Sequence, residues 1–543
     1  SIAYNVDAST GADQERTLGA FTKTSTGTKE GERFLSPEPE VALEKAFLNP
    51  FKNFVATAKT CYSSRGIVRD EEVTGGYVPL AKSIYQAGHH TTLQHAHFQF
   101  TLSNVSRQFI WSFLHAHPFY NSEQVSQRYV TVRPESFAVP PLSGAAQDLY
   151  MEGIREQMAA YQRLNEMLLP LVDAEYGRIF PRKRRNFARD VKKKSQEIAR
   201  YVVPIAAFAY LYHTVSAVTL LRYYRLCHQY DTPLEQRIVA GKMVQALIAF
   251  DPEYKTILQS PLSIEETPEH QFFEAHPALK SPQVTETFLS EFDAALGGRV
   301  SRLVDYKINQ EAVLAQSVRE ILGVPRAAMD DTAAIGLVLD PGENRLLGES
   351  LNLTTMTKLS RALFHPAYTF RKKLSHTADS QDQRHRMTPG SRPVLSAQMT
   401  DRPDYITPDL IKSDPKIERY YDEIMAQSWD RFSRLKRLGV PLEYALYLLP
   451  NALSIRFTES ADLLNLHHKH AMRLCYNAQE EIWRASLDEA LQIKEVNPLI
   501  GSYLLPPCTL RDMAQLRPVC PEGERYCGVK VWKITPPEYT RLI

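Results

Sequence analysis

Arg384, His385 and Arg386 stand in a row, two guanidiniums around an imidazole. An arginine fork donates two parallel hydrogen bonds to phosphate or carboxylate oxygens, so the triplet suits an anionic, planar ligand. Gln381 lies one helical turn before Arg384, so the two side chains can share a face. An earlier stretch answers this one in degraded form. Ser375 to Arg386 is matched by Ser106 to His117, where His115-Ala116-His117 replaces the triplet and Ser126, Arg128 and Tyr129 follow. Behind the intact triplet the tail is compressed, with Ser391 and Arg392 close by. Alone, an Arg-His-Arg run also reads as a solvated turn. Carried twice and altered differently, it reads as a duplication whose halves have divided one job.

Cys475, Cys508, Cys520 and Cys527 lie late in the chain, whereas Cys61 and Cys227 stand alone. Four thiols are the number a closed structural zinc site requires. Their spacing is not a paired Cys-x-x-Cys, and reduced cysteines that merely pack are the alternative. Six cysteines in 543 residues do not make a disulfide scaffold, and a cytoplasmic location fits. The basic stretch Arg182-Lys183-Arg184-Arg185 reads as a solvated loop, or as an attractor of an anionic substrate. A net charge of +2 offers no general argument for a nucleic-acid or membrane partner. No apolar run approaches the length of a membrane-spanning helix.

These residues need elements to hold them. The length predicts two domains rather than one core. Residues 1–30 are polar and read as a flexible arm; the first residue is Ser rather than Met, which suggests processing. Residues 31–250 form a first domain, the proline-rich 251–297 a linker with short helices, and 298–543 a second domain. Phe98 to Leu102 and Arg299 to Tyr306 are strand candidates. Helices are predicted over Val105 to Leu114, Ala145 to Leu171, Glu311 to Leu322 and Pro415 to Leu438. Gln196 to Ala249 and Pro441 to Ile493 read as mostly helical, and the His-Pro-Phe-Tyr-Asn stretch from His117 as a loop. The fold class is α+β: two tandem domains, each with a small, mostly antiparallel sheet and a large helical portion.

With its surroundings, the triplet resembles the Arg-His-Arg signature of the flavin-dependent thymidylate synthases, in which a Ser and a nearby Arg-Tyr follow. More of the chain agrees. Cys61-Tyr62-Ser63-Ser64 resembles a segment near that family's start, and His89 to His95 resembles its His-rich turn. Ala199-Arg200-Tyr201-Val202-Val203-Pro204 resembles its Ala-Arg-x-x-Leu-Pro helix; Ala445 to Pro450 is the second-half equivalent, without the Arg. Met472 to Ile482 resembles its Leu-Arg-x-Cys-x-x-Ala-Gln-x-Glu-Ile helix. Arg225-Leu226-Cys227 is the first-half equivalent, with Asp231 replacing the Gln and Pro233 the Glu.

The resemblance implies reductive methylation of dUMP, or of another pyrimidine nucleotide, with methylenetetrahydrofolate, reduced FAD and NADPH. A non-catalytic nucleotide-binding or flavin-binding scaffold is the alternative from a different class. It implies Arg473, Ser126 and Gln381 as catalytic residues and Arg384, His385, Arg386 and His89 as flavin contacts. Arg128, Arg200 and Gln124 would bind substrate, with Gln124 standing where the family has an acid. The Cys-bearing tail resembles one in some family members, which would place a structural zinc or iron on Cys475, Cys508, Cys520 and Cys527. Sites lie between subunits in that family. One intact pocket would therefore pair Gln381 and Arg473 with Ser126 and Arg128, and a damaged reciprocal one would pair Arg200 and Arg225 with Ser391 and Arg392. A homodimer mimicking a four-subunit enzyme is the implied assembly.

Overall fold

The computed structural model describes residues 34, 36–45, 49–117, 119–180, 187–230, 232–349, 357–541 and 543. The expected arm over 1–30, the basic stretch Arg182 to Arg185 and Asp231 lie outside the described residues. The first half holds strands β1 (Glu40–Lys45), β2 (His97–Ser106), β3 (Tyr120–Gln124) and β4 (Phe208–Ser216), in sheet order β1-β2-β4-β3. The second half repeats this with β5 (Ser301–Tyr306), β6 (Ala367–Ser375), β7 (Gly390–Ser391) and β8 (Ser454–Asp462), in order β5-β6-β8-β7. Every ladder is antiparallel. The α+β expectation holds, in two like halves.

Three local expectations fail. The helical reading of Gln196 to Ala249 hides β4, and that of Pro441 to Ile493 hides β8. In β4 the period of two is real: Ala209, Leu211, His213 and Val215 are buried while Tyr210 and Tyr212 are exposed. Helix-like apolar runs on both sides mask so short a signal. In β8 the residues Ser454 to Phe457 are all buried, so alternation is lost where both faces are covered. The stretch from His117, read as a loop, gives way at Tyr120 to the edge strand β3, which pairs with β4.

Equivalent helices leave β2 and β6. Ser106 caps the helix Arg107–His115 by accepting from Phe109 N, and Ser375 caps His376–Asp382 by accepting from Ala378 N. Each capping hydroxyl in turn donates to a buried glutamate. Ser106 and the Tyr447 hydroxyl donate to Glu235, the latter at 2.6 Å; Ser375 and the Tyr201 hydroxyl donate to Glu481, both at 2.6 Å. Each glutamate thus ties its own half to a tyrosine of the other. This corrects the alignment read from sequence. Pro233 caps the helix Leu234–Phe250 where Gln479 caps Glu480–Val496, so Glu235, not Pro233, corresponds to Glu481.

The halves meet around Pro204 and Pro450, which face each other in an isolated bridge. Ile205 N donates to Leu449 O at 2.9 Å and Ala206 N to Tyr447 O at 3.0 Å. Asn451 N donates to Val203 O at 2.8 Å and Ala452 N to Tyr201 O at 2.9 Å. One apolar core continues across this seam, with Tyr150, Tyr161 and Leu164 of the helix Gly144–Ile179 against Trp429, Tyr421 and Leu448. Gly153 permits the approach: a Cβ there would meet the Leu448 side chain at 2.9 Å. Among the described residues no helix is long and apolar enough to cross a membrane.

Candidate active site

A cavity of about 310 Å³ opens beside the seam. The loop after β3 contributes Ser126 and Arg128 to its lining, and the end of the helix Ala188–Ala199 contributes Arg200. From the second half come Gln381 and Arg384, around the end of the helix His376–Asp382, and Arg473, the last residue of the helix Leu463–Arg473. Ser126, Arg128, Gln381 and Arg473, expected to share one pocket, are together. Arg200 is with them, which corrects its assignment to the reciprocal pocket.

Contacts across the seam fix these side chains. Arg128 Nε donates to Glu197 at 2.5 Å and its Nη2 to the Asn477 carbonyl at 2.7 Å. Burial pushes Glu197 upward, but Arg128 and Lys194 overcome it and hold the carboxyl well below the usual range. Arg200 Nη2 donates at 2.9 Å to Gln479 Oε1, which also accepts from Gln381. Gln479 Nε2 donates to the Tyr201 hydroxyl at 2.5 Å. Arg473 Nη2 donates to the Gln381 carbonyl at 3.1 Å. At the rim, Arg384 Nη2 reaches both Glu123 oxygens, at 2.7 and 2.8 Å.

The site is cationic and short of counter-charge. Burial pulls Arg473 down to about 10, with Asp382 opposing and Arg128 and Arg384 adding to the drop. Burial likewise lowers Arg200. Guanidiniums do not release their protons in proteins, so both stay charged at a desolvation cost. The Nε atoms of Arg200 and Arg473 are buried without a hydrogen-bond partner. The arrangement can bind a phosphate at one end and polarise a carbonyl-bearing ring at the other.

The residues expected in a reciprocal pocket are engaged elsewhere. Arg392 Nη2 pairs with Asp379 at 2.7 Å, and Trp111 Nε1 donates to the same carboxylate at 2.7 Å. Ser391 Oγ donates to Thr458 O at 3.3 Å, and Arg225 donates to the Ser260 carbonyl. Arg225 was matched to Arg473, but its helix Ala217–Arg225 stops two residues short of the equivalent turn.

A second cavity of about 350 Å³ adjoins the first and shares Gln124 and Arg384 with it. Tyr120, Tyr212 and Arg386 line it, with the Arg386 guanidinium 5.1 Å from the Tyr120 ring centre. Two cations beside the buried Tyr120 ring and the exposed Tyr212 ring fit a flavin, a planar ring system carrying phosphates. His385 lines neither cavity; its ring lies 5.7 Å from that of His468, and its Nε2 is buried. His89 is exposed at the start of the short helix His90–Gln94 and also lines neither.

The sequence reading missed a buried ionic cluster behind the triplet. Lys372 Nζ lies 2.6 Å from Glu459 and 2.7 Å from Glu489, Lys469 Nζ lies 3.0 Å from Asp382, and His470 Nε2 lies 3.0 Å from Glu489. His213 occupies the place of Glu459 in the first half, with Phe113, Tyr120 and Tyr223 around it. The charges come from five separate elements, and no local motif announces them.

The metal expectation is corrected. Among the described residues no group of three or more His, Cys, Asp or Glu side chains is arranged to hold a metal ion. Cys475, Cys508, Cys520 and Cys527 are free thiols. Burial raises the Cys475 and Cys508 thiols to about 12.

A family profile described as "Thymidylate synthase complementing protein" matches residues 43–253 and again residues 302–499. The flavin-dependent thymidylate synthase of Sulfurisphaera tokodaii is 31% identical over 157 residues, 28% of this chain and 59% of that protein. That of Clostridium tetani is 27% identical over 185 residues, 33% of this chain and 69% of that protein. The first match therefore spans less than two thirds of the relative's length. A solved structure described as the UMP/dUMP methylase PolB from Streptomyces cacaoi, bound with 5-Br dUMP, covers 40% of this chain and 94% of its own at 17% identity. Its TM-score of 0.31 is too low to argue from. With the profile matched once in each half, the chain belongs to the thymidylate synthase complementing protein family.

Proposed function

We propose that the chain methylates a pyrimidine nucleotide, dUMP in the first instance, to dTMP, with methylenetetrahydrofolate as one-carbon donor, reduced FAD as cofactor and NADPH as the source of its electrons. One observation carries the reading: Ser126, Arg128 and Arg200 of the first half line the same cavity as Gln381, Arg384 and Arg473 of the second.

Arg128 and Arg200 hold the 5′-phosphate, where two guanidinium forks match its oxygens. C5 bonds to the one-carbon unit and gives up its proton; Arg473 donates to a pyrimidine oxygen, where negative charge would build when the methylene-bearing ring accepts hydride. Gln381, held by Gln479, fixes the base in plane. Bound FAD would supply the hydride that completes the methyl group, with Arg384 and Arg386 contacting it. Arg200 is buried and Arg473 half-buried, which limits water at the inner end.

Tritium release from C5-labelled dUMP, measured on the purified chain reconstituted with FAD, folate donor and NADPH, tests this. Release that requires all components supports the reading. A colourless protein that takes up no FAD and releases no tritium refutes it and favours a non-catalytic scaffold.

A further inference from the structure

Arg107 stands apart from the motif residues. It is the first residue of the helix Arg107–His115, is buried, and lines the nucleotide cavity. His376 holds the equivalent position in the second half and turns instead to Gln108, at 3.2 Å. Arg107 Nη1 donates to Gln124 Oε1 at 2.8 Å and Nη2 to the Val125 carbonyl at 2.7 Å. Its Nε is buried without a partner, as are those of Arg200 and Arg473.

Both acceptors are neutral. An amide oxygen takes the hydrogen bond but leaves the guanidinium charge uncancelled, where a carboxylate would cancel it. Among the described residues no carboxylate ion-pairs with Arg107, whereas Arg128 has Glu197 and Arg384 has Glu123. Burial, with Arg200 beside it, pulls Arg107 down to about 9. A buried cation without a counter-ion is costly to keep, and an arriving dianion relieves that cost.

We propose that Arg107, left un-neutralised by Gln124, is an additional reader of the 5′-phosphate, so that this chain discriminates a nucleotide from its nucleoside through a first-half residue outside the recognised motifs. The inference rests on the nucleotide reading above. Arg107 and Arg200 form the phosphate end of the cavity, and Arg473 with Gln381 the base end.

Binding of dUMP and of deoxyuridine to the full chain, by calorimetry, separates the two claims. A charge-assisted hydrogen bond contributes about 1.5–3 kcal/mol, so Arg107→Gln raises the Kd for dUMP roughly 10- to 150-fold and moves that for deoxyuridine less than about twofold. Arg107→Lys recovers part of the loss. Gln124→Glu supplies the missing carboxylate in place and weakens dUMP at least about tenfold, again without affecting deoxyuridine. Equal weakening of both ligands by Arg107→Gln reduces the residue to a brace for the loop 124–128 and overturns the proposal. So does unchanged dUMP affinity in Gln124→Glu. A wild-type chain that binds neither ligand refutes the nucleotide reading itself, a result distinct from these.

Discussion

Replacing Arg200 with Met sets stability against function. Arg200 is 3% exposed, and among the described residues its guanidinium makes one side-chain hydrogen bond, to Gln479 at 2.9 Å. Its nearest acid, Glu197, is paired with Arg128. Removing a buried charge that has no carboxylate of its own spares a desolvation cost on the order of a few kcal/mol, which the weakened attraction to Glu197 partly offsets. The lost hydrogen bond offsets about 1 kcal/mol of that. Arg200→Met should therefore raise the melting temperature of the ligand-free protein by a few degrees. For the wild type, dUMP at about 100 times its Kd adds about 2.7 kcal/mol of stability. If the substitution weakens binding about a hundredfold, the same concentration adds only about 0.4 kcal/mol. Thermal melts with and without dUMP read both effects. Arg225→Met is the control and should change neither, because Arg225 contacts the Ser260 carbonyl outside the cavity. A lower ligand-free melting temperature for Arg200→Met, together with an undiminished dUMP shift, would refute the reasoning.

Arg473→Met should lower tritium release by about 100- to 1000-fold, because the donor acts where charge develops; a loss confined to KM would make Arg473 an ordinary binding residue. Asp379→Asn leaves Arg392 buried without its counter-ion and should destabilise by about 3–5 kcal/mol in urea, while dUMP affinity of the folded protein stays constant. Burial raises Glu235 and Glu481 to about 7 from an ordinary 4.5. The folded state then holds protons that the unfolded state releases, so their contribution is full below about pH 4.5 and is lost as pH rises toward 7. Glu235→Gln should flatten that fall in a melting-temperature series from pH 5 to 8, and an unchanged slope would remove Glu235 as its source.

The parts of the fold legible in sequence were those with a local cause. The proline-led helix Pro415–Arg437 and the spacing behind the triplet carried their own signals. The central strands β4 and β8 did not, because each is flanked by helix-like apolar runs and stabilised by partners far away in sequence. Motif order alone grouped Ser126, Arg128, Gln381 and Arg473, which line one cavity. Arg200 was misplaced because which side of the seam it faces depends on the crossing at Pro204 and Pro450, which no local pattern encodes. Glu235 was overlooked for a simpler reason: the match to Arg473 was anchored on Arg225, two residues out of step with the helix starts. Arg107 sits in no motif, and only its burial beside Arg200 marks it.

The bonds joining Val203, Ile205, Asn451 and their partners run entirely between main-chain atoms, and such bonds are indifferent to what the side chains become. In an assembly of identical subunits, any change at such a junction appears on both flanks at once. Here one continuous polypeptide supplies both flanks, so Trp111 could fill one side while Gln381 stayed open to the other. The join preserves the scaffold's mirror-like pairing and, by the same token, frees its two faces to age at different speeds.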